Sequence, residues 1–189
     1  MKLNNVVAAG LAIVATGVLA GCDTTSTMAP YSAATPNVLR LQSTLKAKGT
    51  TVRVGEFSSA PGVEEPKCRL MGSLDVTAGK PLSEYLQNAL QTELLAAQVY
   101  DVNSNVVING KIDELSIATM GSASWTIGIL VTSNIDPVGY HVRSTHPFKT
   151  SYSAVAACQN ATNAFVPSVQ DAMGEIVSDA GFAKLVGQQ

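Results

Sequence analysis

Chemistry in this sequence would have to come from three cysteines, two histidines and a few adjacent acids. His141 and His146 are five residues apart in an alternating segment. On a strand such a pair points to opposite faces, so the two rings cannot share a metal ion unless a bulge intervenes. They read as polar surface residues. Glu64 and Glu65 sit between prolines and a glycine, in a loop where the expected role is solvated charge. Asp113 and Glu114 lie inside an apolar segment, where they either flank a cleft or mark a bulge. No G-x-S-x-G elbow, H-E-x-x-H pair or phosphate-cradling glycine loop occurs. The glycines Gly72 and Gly110 stand isolated within strand-like runs and point to close backbone packing. The expectation is therefore no catalytic set, no metal and no cofactor.

The N-terminus is more specific. Met1-Lys2-Leu3-Asn4-Asn5 is followed by an uncharged apolar run, Val6 to Leu19, and then by small residues. A charged start, a short apolar run and a small-residue cut define a secretory signal peptide. The run is too short for a comfortable membrane span, which takes roughly 20 apolar residues. Leu19-Ala20-Gly21-Cys22 resembles the lipobox of bacterial lipoproteins. That resemblance implies cleavage before Cys22, diacylglycerol on its thiol, and a further acyl chain such as palmitate on the new amino group. Several acyl chains hold a protein stably on a bilayer, whereas one gives only marginal binding. Asp23 resembles the signal that retains enteric lipoproteins in the inner membrane, which favours that membrane over the outer one. The expected location is lipid-anchored and periplasm-facing.

Removal of residues 1–21 leaves 168 of 189 residues, with 11 basic and 14 acidic side chains. One domain and a tether fit that length. No Lys/Arg cluster is present, so nucleic acid and anionic lipid are disfavoured as partners. Cys68 and Cys158 remain as an even pair in an oxidising compartment, and a disulfide is expected between them.

Asp23 to Pro36 is rich in Thr, Ser, Ala and Pro and reads as a flexible tether, making 22–36 the lipidated cysteine and its linker and 37–189 the domain. Asn37 caps a short helix that Gly49 ends. Thr51–Ser58 reads as a strand. Lys67–Thr77 alternates, with Cys68, Leu70, Gly72, Leu74 and Val76 on one parity, and reads as a second strand. Leu82–Val99 carries apolar residues at helical spacing. Val106–Thr119 is a strand whose apolar parity switches near Asp113-Glu114, which implies a β-bulge. Met120-Gly121-Ser122 is a hairpin turn into a strand starting near Trp125. Val138–Ala156 reads as a long strand, with Pro147 on its polar parity suggesting an edge or a bend. The last helix starts near Cys158, contains Pro167, which should kink it or shift its start, and ends at Gly181. The order is (α)ββαβββα: an α+β fold, a mainly antiparallel sheet with two main helices on one face.

Three residues stand out as partner-binding candidates. Trp125 is either a core ring or a rim residue at a partner surface, where Trp is enriched. His141 and Arg143 lie on the polar parity of the Val138–Ala156 strand. At a sheet edge that strand could accept a partner strand; otherwise it is a solvated face. The strand Val52-Arg53-Val54-Gly55-Glu56-Phe57, the Leu82–Val99 helix, Val107-Ile108-Asn109-Gly110-Lys111-Ile112 and the terminal helix resemble small envelope lipoproteins of the YajG and penicillin-binding-protein-activator kind, similar in turn to the N-terminal domain of TolB and to the curli secretion lipoprotein. The resemblance covers roughly residues 51 to 185 and assigns no functional residue; Pro167 and the cysteine pair depart from the pattern. The expected role is a non-catalytic accessory module docking onto an envelope protein. The alternatives are a subunit of an oligomeric envelope or secretion assembly, and a small-ligand-binding or enzymatic lipoprotein built around Asp113 and Glu114.

Overall fold

The computed structural model describes residues 30–63 and 66–188. The signal segment, Cys22, residues 23–29 of the tether, and Glu64 and Glu65 lie outside the described residues. In chain order the elements are α1 (Thr35–Thr44), β1 (Arg53–Ser59), α2 (Leu82–Ala96), β2 (Val107–Ala118), β3 (Ser124–Ser133), β4 (Tyr140–Pro147), α3 (Ala154–Ser178) and α4 (Gly181–Leu185). One-turn 3-10 helices occupy Lys46–Lys48 and Arg69–Met71.

The fold is α+β, with a four-stranded sheet ordered β1-β2-β3-β4. β2, β3 and β4 are antiparallel neighbours, but β1 runs parallel to β2, so the sheet is mixed. The cause is the segment between β1 and α2. Lys67–Thr77 is not the expected strand. Arg69 and Gly72 both take positive φ (46° and 81°), which folds the chain back on itself. The Cys68 amide then donates to the Gly72 carbonyl at 2.8 Å, and Lys67 and Ser73 form a lone bridge. Leu70 is 96% exposed, so the alternation there does not mark a buried face. Gly72 thus serves a turn rather than close packing. With no strand to reverse the chain, α2 carries it back across the sheet and β2 enters in the same direction as β1.

α2 packs over β1, and α3 over β3 and β4, on one face of the sheet. Alternation in the strands supplies that face with Ile108, Ile112, Trp125, Ile127, Ile129 and Val131. Helical spacing supplies Leu86, Leu90 and Leu94 from α2, and Phe165, Val169, Met173 and Ile176 from α3, all buried. Gly110 does pack closely, as expected: a Cβ there would lie 2.4 Å from the Phe57 ring. α1 packs on α2 and α3 through Leu41, while Leu45 just beyond it is also buried.

α3 begins at Ala154, not near Cys158, because Ser153 caps it: its side chain accepts from the Ala156 amide. The strand expected to run to Ala156 therefore stops at Pro147. Pro167 lies inside α3, where it denies Asn163 its helical N–H. Phe165 and Val169, fully buried on either side, hold the helix through that loss. The helix ends at Ser178, and Gly181 opens α4, whose Phe182 and Leu185 dock the tail in the core.

The N-terminal boundary also moves. Residues 30–36, expected as tether, pack on the domain, and α1 starts at Thr35. Glu93 of α2, fully buried, accepts from the Tyr31 hydroxyl at 2.6 Å, the Ala34 amide at 3.0 Å and Asn37 Nδ2 at 3.0 Å. Asn37 is thus a buried crosslink and not the cap.

Candidate functional site

The sheet face opposite α2 and α3 carries no described helix. Its residues are the other parity of each strand: Lys111 and Ser116 of β2, Leu130 and Thr132 of β3, and His141, Arg143 and Thr145 of β4. The bulge expected at Asp113-Glu114 is present. The β2–β3 register slips between Ile112 and Glu114, leaving Asp113 as the extra residue. Both carboxylates consequently project onto the open face instead of alternating across it.

From there they reach over β3 to β4. Asp113 accepts from His141 Nε2 at 2.9–3.0 Å. Glu114 takes Arg143 in a two-toothed pair, Nε at 2.7 Å and Nη2 at 3.0 Å. The residue between them is Gly128, which pairs with Glu114 on one side and with Arg143 on the other. A Cβ at 128 would stand 2.6 Å from Asp113 Oδ1 and 2.9 Å from Glu114 Cβ. Glycine therefore opens the channel through which two strands exchange ion pairs across a third. The Arg143 hydrogen bond holds the Glu114 carboxyl below the usual range and, reciprocally, raises Arg143. Arg143 is more than half exposed, so solvent screens much of the attraction.

β4 is a sheet edge, as the position of Pro147 suggested. The Phe148 amide donates to the Ala123 carbonyl at 3.0 Å. By antiparallel alternation, the backbone groups of even-numbered residues in β4 turn toward β3, and those of His141, Arg143 and Thr145 turn outward. Pro147, with no N–H, closes this row of three.

The other expected sites fall as follows. Trp125 is not a surface residue. It is fully buried, its Nε1 donates to the Ala161 carbonyl at 2.8 Å, and its ring meets Phe165 edge-on at 5.2 Å. A satisfied indole sandwiched between sheet and helix has nothing to offer a partner, so Trp125 is a core ring and not a rim residue. His146 points to the helix side, away from His141, with Nδ1 2.7 Å from Asp171 of α3. Among the described residues no three His, Cys, Asp or Glu side chains gather where a metal ion could sit. No helix among them is long and apolar enough to cross a membrane.

Cys68 and Cys158 form the expected disulfide, joining the Arg69–Met71 turn to the first turns of α3. Beside it lies Arg69, which the residue pattern did not single out. Its guanidinium donates to the Thr119 carbonyl, to the Tyr152 carbonyl at 3.3 Å, and to the hydroxyls of Thr119 and Thr150, both at 3.2 Å. Three loops are thereby tied at the hairpin end of the molecule. Gly128 was also missed; its signal was an isolated glycine in a strand rich in β-branched residues.

No family model matches the sequence, and no curated protein matches it. Among solved structures, a Xanthomonas campestris protein described as belonging to the DUF330 family aligns with 73% of this chain and 85% of its own, at 14% identity and a TM-score of 0.48. A second, described as an uncharacterized protein, aligns with 67% of this chain and 92% of its own, at 11% identity and a TM-score of 0.36.

Proposed function

We propose that this chain is a lipid-anchored, periplasm-facing lipoprotein that acts without catalysis, as an accessory module binding a protein of the cell envelope. Anchoring rests on the signal segment and Leu19-Ala20-Gly21-Cys22, and the resemblance to small envelope lipoproteins agrees with it. The binding role rests on one observation: β4 is an edge strand whose outward N–H and C=O groups at His141, Arg143 and Thr145 have no strand beside them among the described residues. An extended segment of a partner would complete that ladder, its side chains alternating past His141 and Arg143.

A non-catalytic role suits the cluster itself. A general acid or base works best with a pKa near the working pH, in a site that shields the reaction. Glu114 is held ionised by Arg143, and the Asp113–His141 pair lies half-exposed on an open face.

The test is in-cell photo-crosslinking from Thr145, with Arg40 on the exposed side of α1 as control, and co-purification from the Thr145→Pro variant. Proline at 145 removes an outward N–H and leaves the β3 ladder intact. The expected result is one envelope protein captured from Thr145 and not from Arg40, and lost from Thr145→Pro. Capture of further copies of this chain alone would replace the accessory role with self-assembly. Equal capture from both positions would end the edge reading.

A further inference from the structure

The hairpin end of the molecule, around the disulfide, exposes large apolar side chains from three separate loops. Leu70 (96% exposed) and Met71 come from the turn beside Cys68, Met120 (75%) from the β2–β3 hairpin, Tyr152 (fully exposed) from the approach to α3, and Val155 from the first turn of α3 that this loop enters. Met120 and Tyr152, with Arg69 between them, rim a shallow concavity of about 740 Å³. The frame beneath them is rigid. The disulfide and the Arg69 guanidinium bind the loops to one another, and Arg69 also satisfies the carbonyls of Thr119 and Tyr152. Loops that enter an apolar medium need their backbone groups satisfied in this way.

The course of the N-terminal chain decides which surface this end meets. Ser32 lies against Gln170 of α3, and the chain runs from there to Pro30, which shares a hollow with Thr77, Lys80 and Tyr85. The Tyr85 ring lies 5.6 Å from Phe165, tilted against it by 42°. Phe165 is seven residues beyond Cys158, about 10 Å along the helix axis. The chain therefore leaves the domain heading toward the hairpin end. From Pro30 back to Cys22 is eight residues, which reach at most about 28 Å when fully extended.

We infer that the hairpin end rests on the bilayer, with Leu70, Met71, Met120, Tyr152 and Val155 inserted at the boundary between headgroups and acyl chains. The inference rests on lipid anchoring at Cys22. The short connection keeps the tips within reach of the membrane, and tyrosine suits the interface because its ring is apolar and its hydroxyl wet. The contact is apolar, so neutral lipid suffices. The domain then stands with its β3–β4 turn, bearing Ile135 and Val138, away from the bilayer, and β4 runs down toward the membrane from Tyr140 to Pro147, open to a partner alongside.

The test uses the full-length lipidated protein in phosphatidylcholine vesicles whose acyl chains carry bromine, a short-range quencher of tryptophan. Tyr152→Trp places a reporter at the tips, and Val138→Trp places one at the far end; Trp125, buried in every variant, sets the background. The expected result is emission from Tyr152→Trp reduced about twofold or more, as for a side chain sunk 5–10 Å into the interface, with Val138→Trp unchanged. Quenching of Val138→Trp instead, or of neither, would overturn the inference. The intact mass of the same preparation reads the anchor separately. A lipidated protein without quenching removes only the docking geometry. A mature chain without lipid removes the anchor and the docking together.

Discussion

Arg143 holds Glu114 through two nitrogens, at 2.7 and 3.0 Å, across the backbone of Gly128 on the strand between them. The contact exists because of two local departures from regular sheet. The bulge turns Glu114 onto the open face together with Asp113, and the missing side chain at 128 leaves the path free. The result is a polar bridge from β2 to the β4 edge, which fixes the orientation of His141 and Arg143 where a partner strand would pass.

Gly128→Val should be more costly than loss of the ion pair it accommodates. The new side chain would collide with Asp113 and with Glu114 Cβ, and overpacking of this kind costs about 1–3 kcal/mol. Arg143→Ala removes a solvent-screened pair and should stay within about 1 kcal/mol of the parent. Urea unfolding of the two variants measures both. A Gly128→Val protein as stable as the parent would show that the crossing is not tight.

The disulfide closes a sequence separation of 90 residues. In the chain-entropy picture a loop of that size contributes about 4.6 kcal/mol by restricting the unfolded chain. The double variant Cys68→Ser, Cys158→Ser should therefore unfold at clearly lower denaturant. Cys68 also anchors the Arg69–Met71 turn, so proteolysis of that variant should begin near residues 67–73. An unchanged midpoint on reduction would contradict the loop-closure account.

Alkaline stability should be governed by the buried phenols, Tyr31 and Tyr140 most of all, with Tyr85 raised by burial as well. Burial, then the hydrogen bond to Glu93, pushes Tyr31 far above its ordinary value of 10.0. Burial, then Asp179, does the same to Tyr140, whose hydroxyl donates to the Ile176 carbonyl at 2.7 Å. A raised folded-state value means the contribution is fully present below the unfolded value, near 10, and is lost as pH rises above it. Stability should therefore hold through neutral pH and fall steeply above about pH 10. Tyr31→Phe and Tyr140→Phe should each flatten that fall. Glu114 has the opposite sign: its lowered value makes its small, screened contribution present at neutral pH and lost on acidification.

Periodicity in the chain was enough to place α2, β2, β3 and the body of α3, because each buries one continuous stripe against the same core. The parity switch at Asp113-Glu114 announced the bulge, since an extra residue in a strand must invert every side chain beyond it. The oxidising setting implied by the N-terminus, with an even pair of cysteines, announced the disulfide. Lys67–Thr77 misled because alternation is a local signal, whereas its backbone follows the positive φ of Arg69 and Gly72 and the pull of a cysteine 90 residues away. Trp125 was undecidable in one dimension: whether an indole is core or rim depends on what lies across from it, and here that is the Ala161 carbonyl and Phe165.

The sequence by itself determined the α+β class and the absence of familiar catalytic motifs, and it carries the residues on which the proposed anchoring rests, all of which are written in neighbouring residues. Only the tertiary structure decided that β1 runs parallel to β2, that Glu93 binds residues 31–37 to the domain, and that Gly128 lets Glu114 meet Arg143. Each of these joins residues far apart in the chain, and such contacts are chosen by the packing of the whole core, which no local window of residues contains.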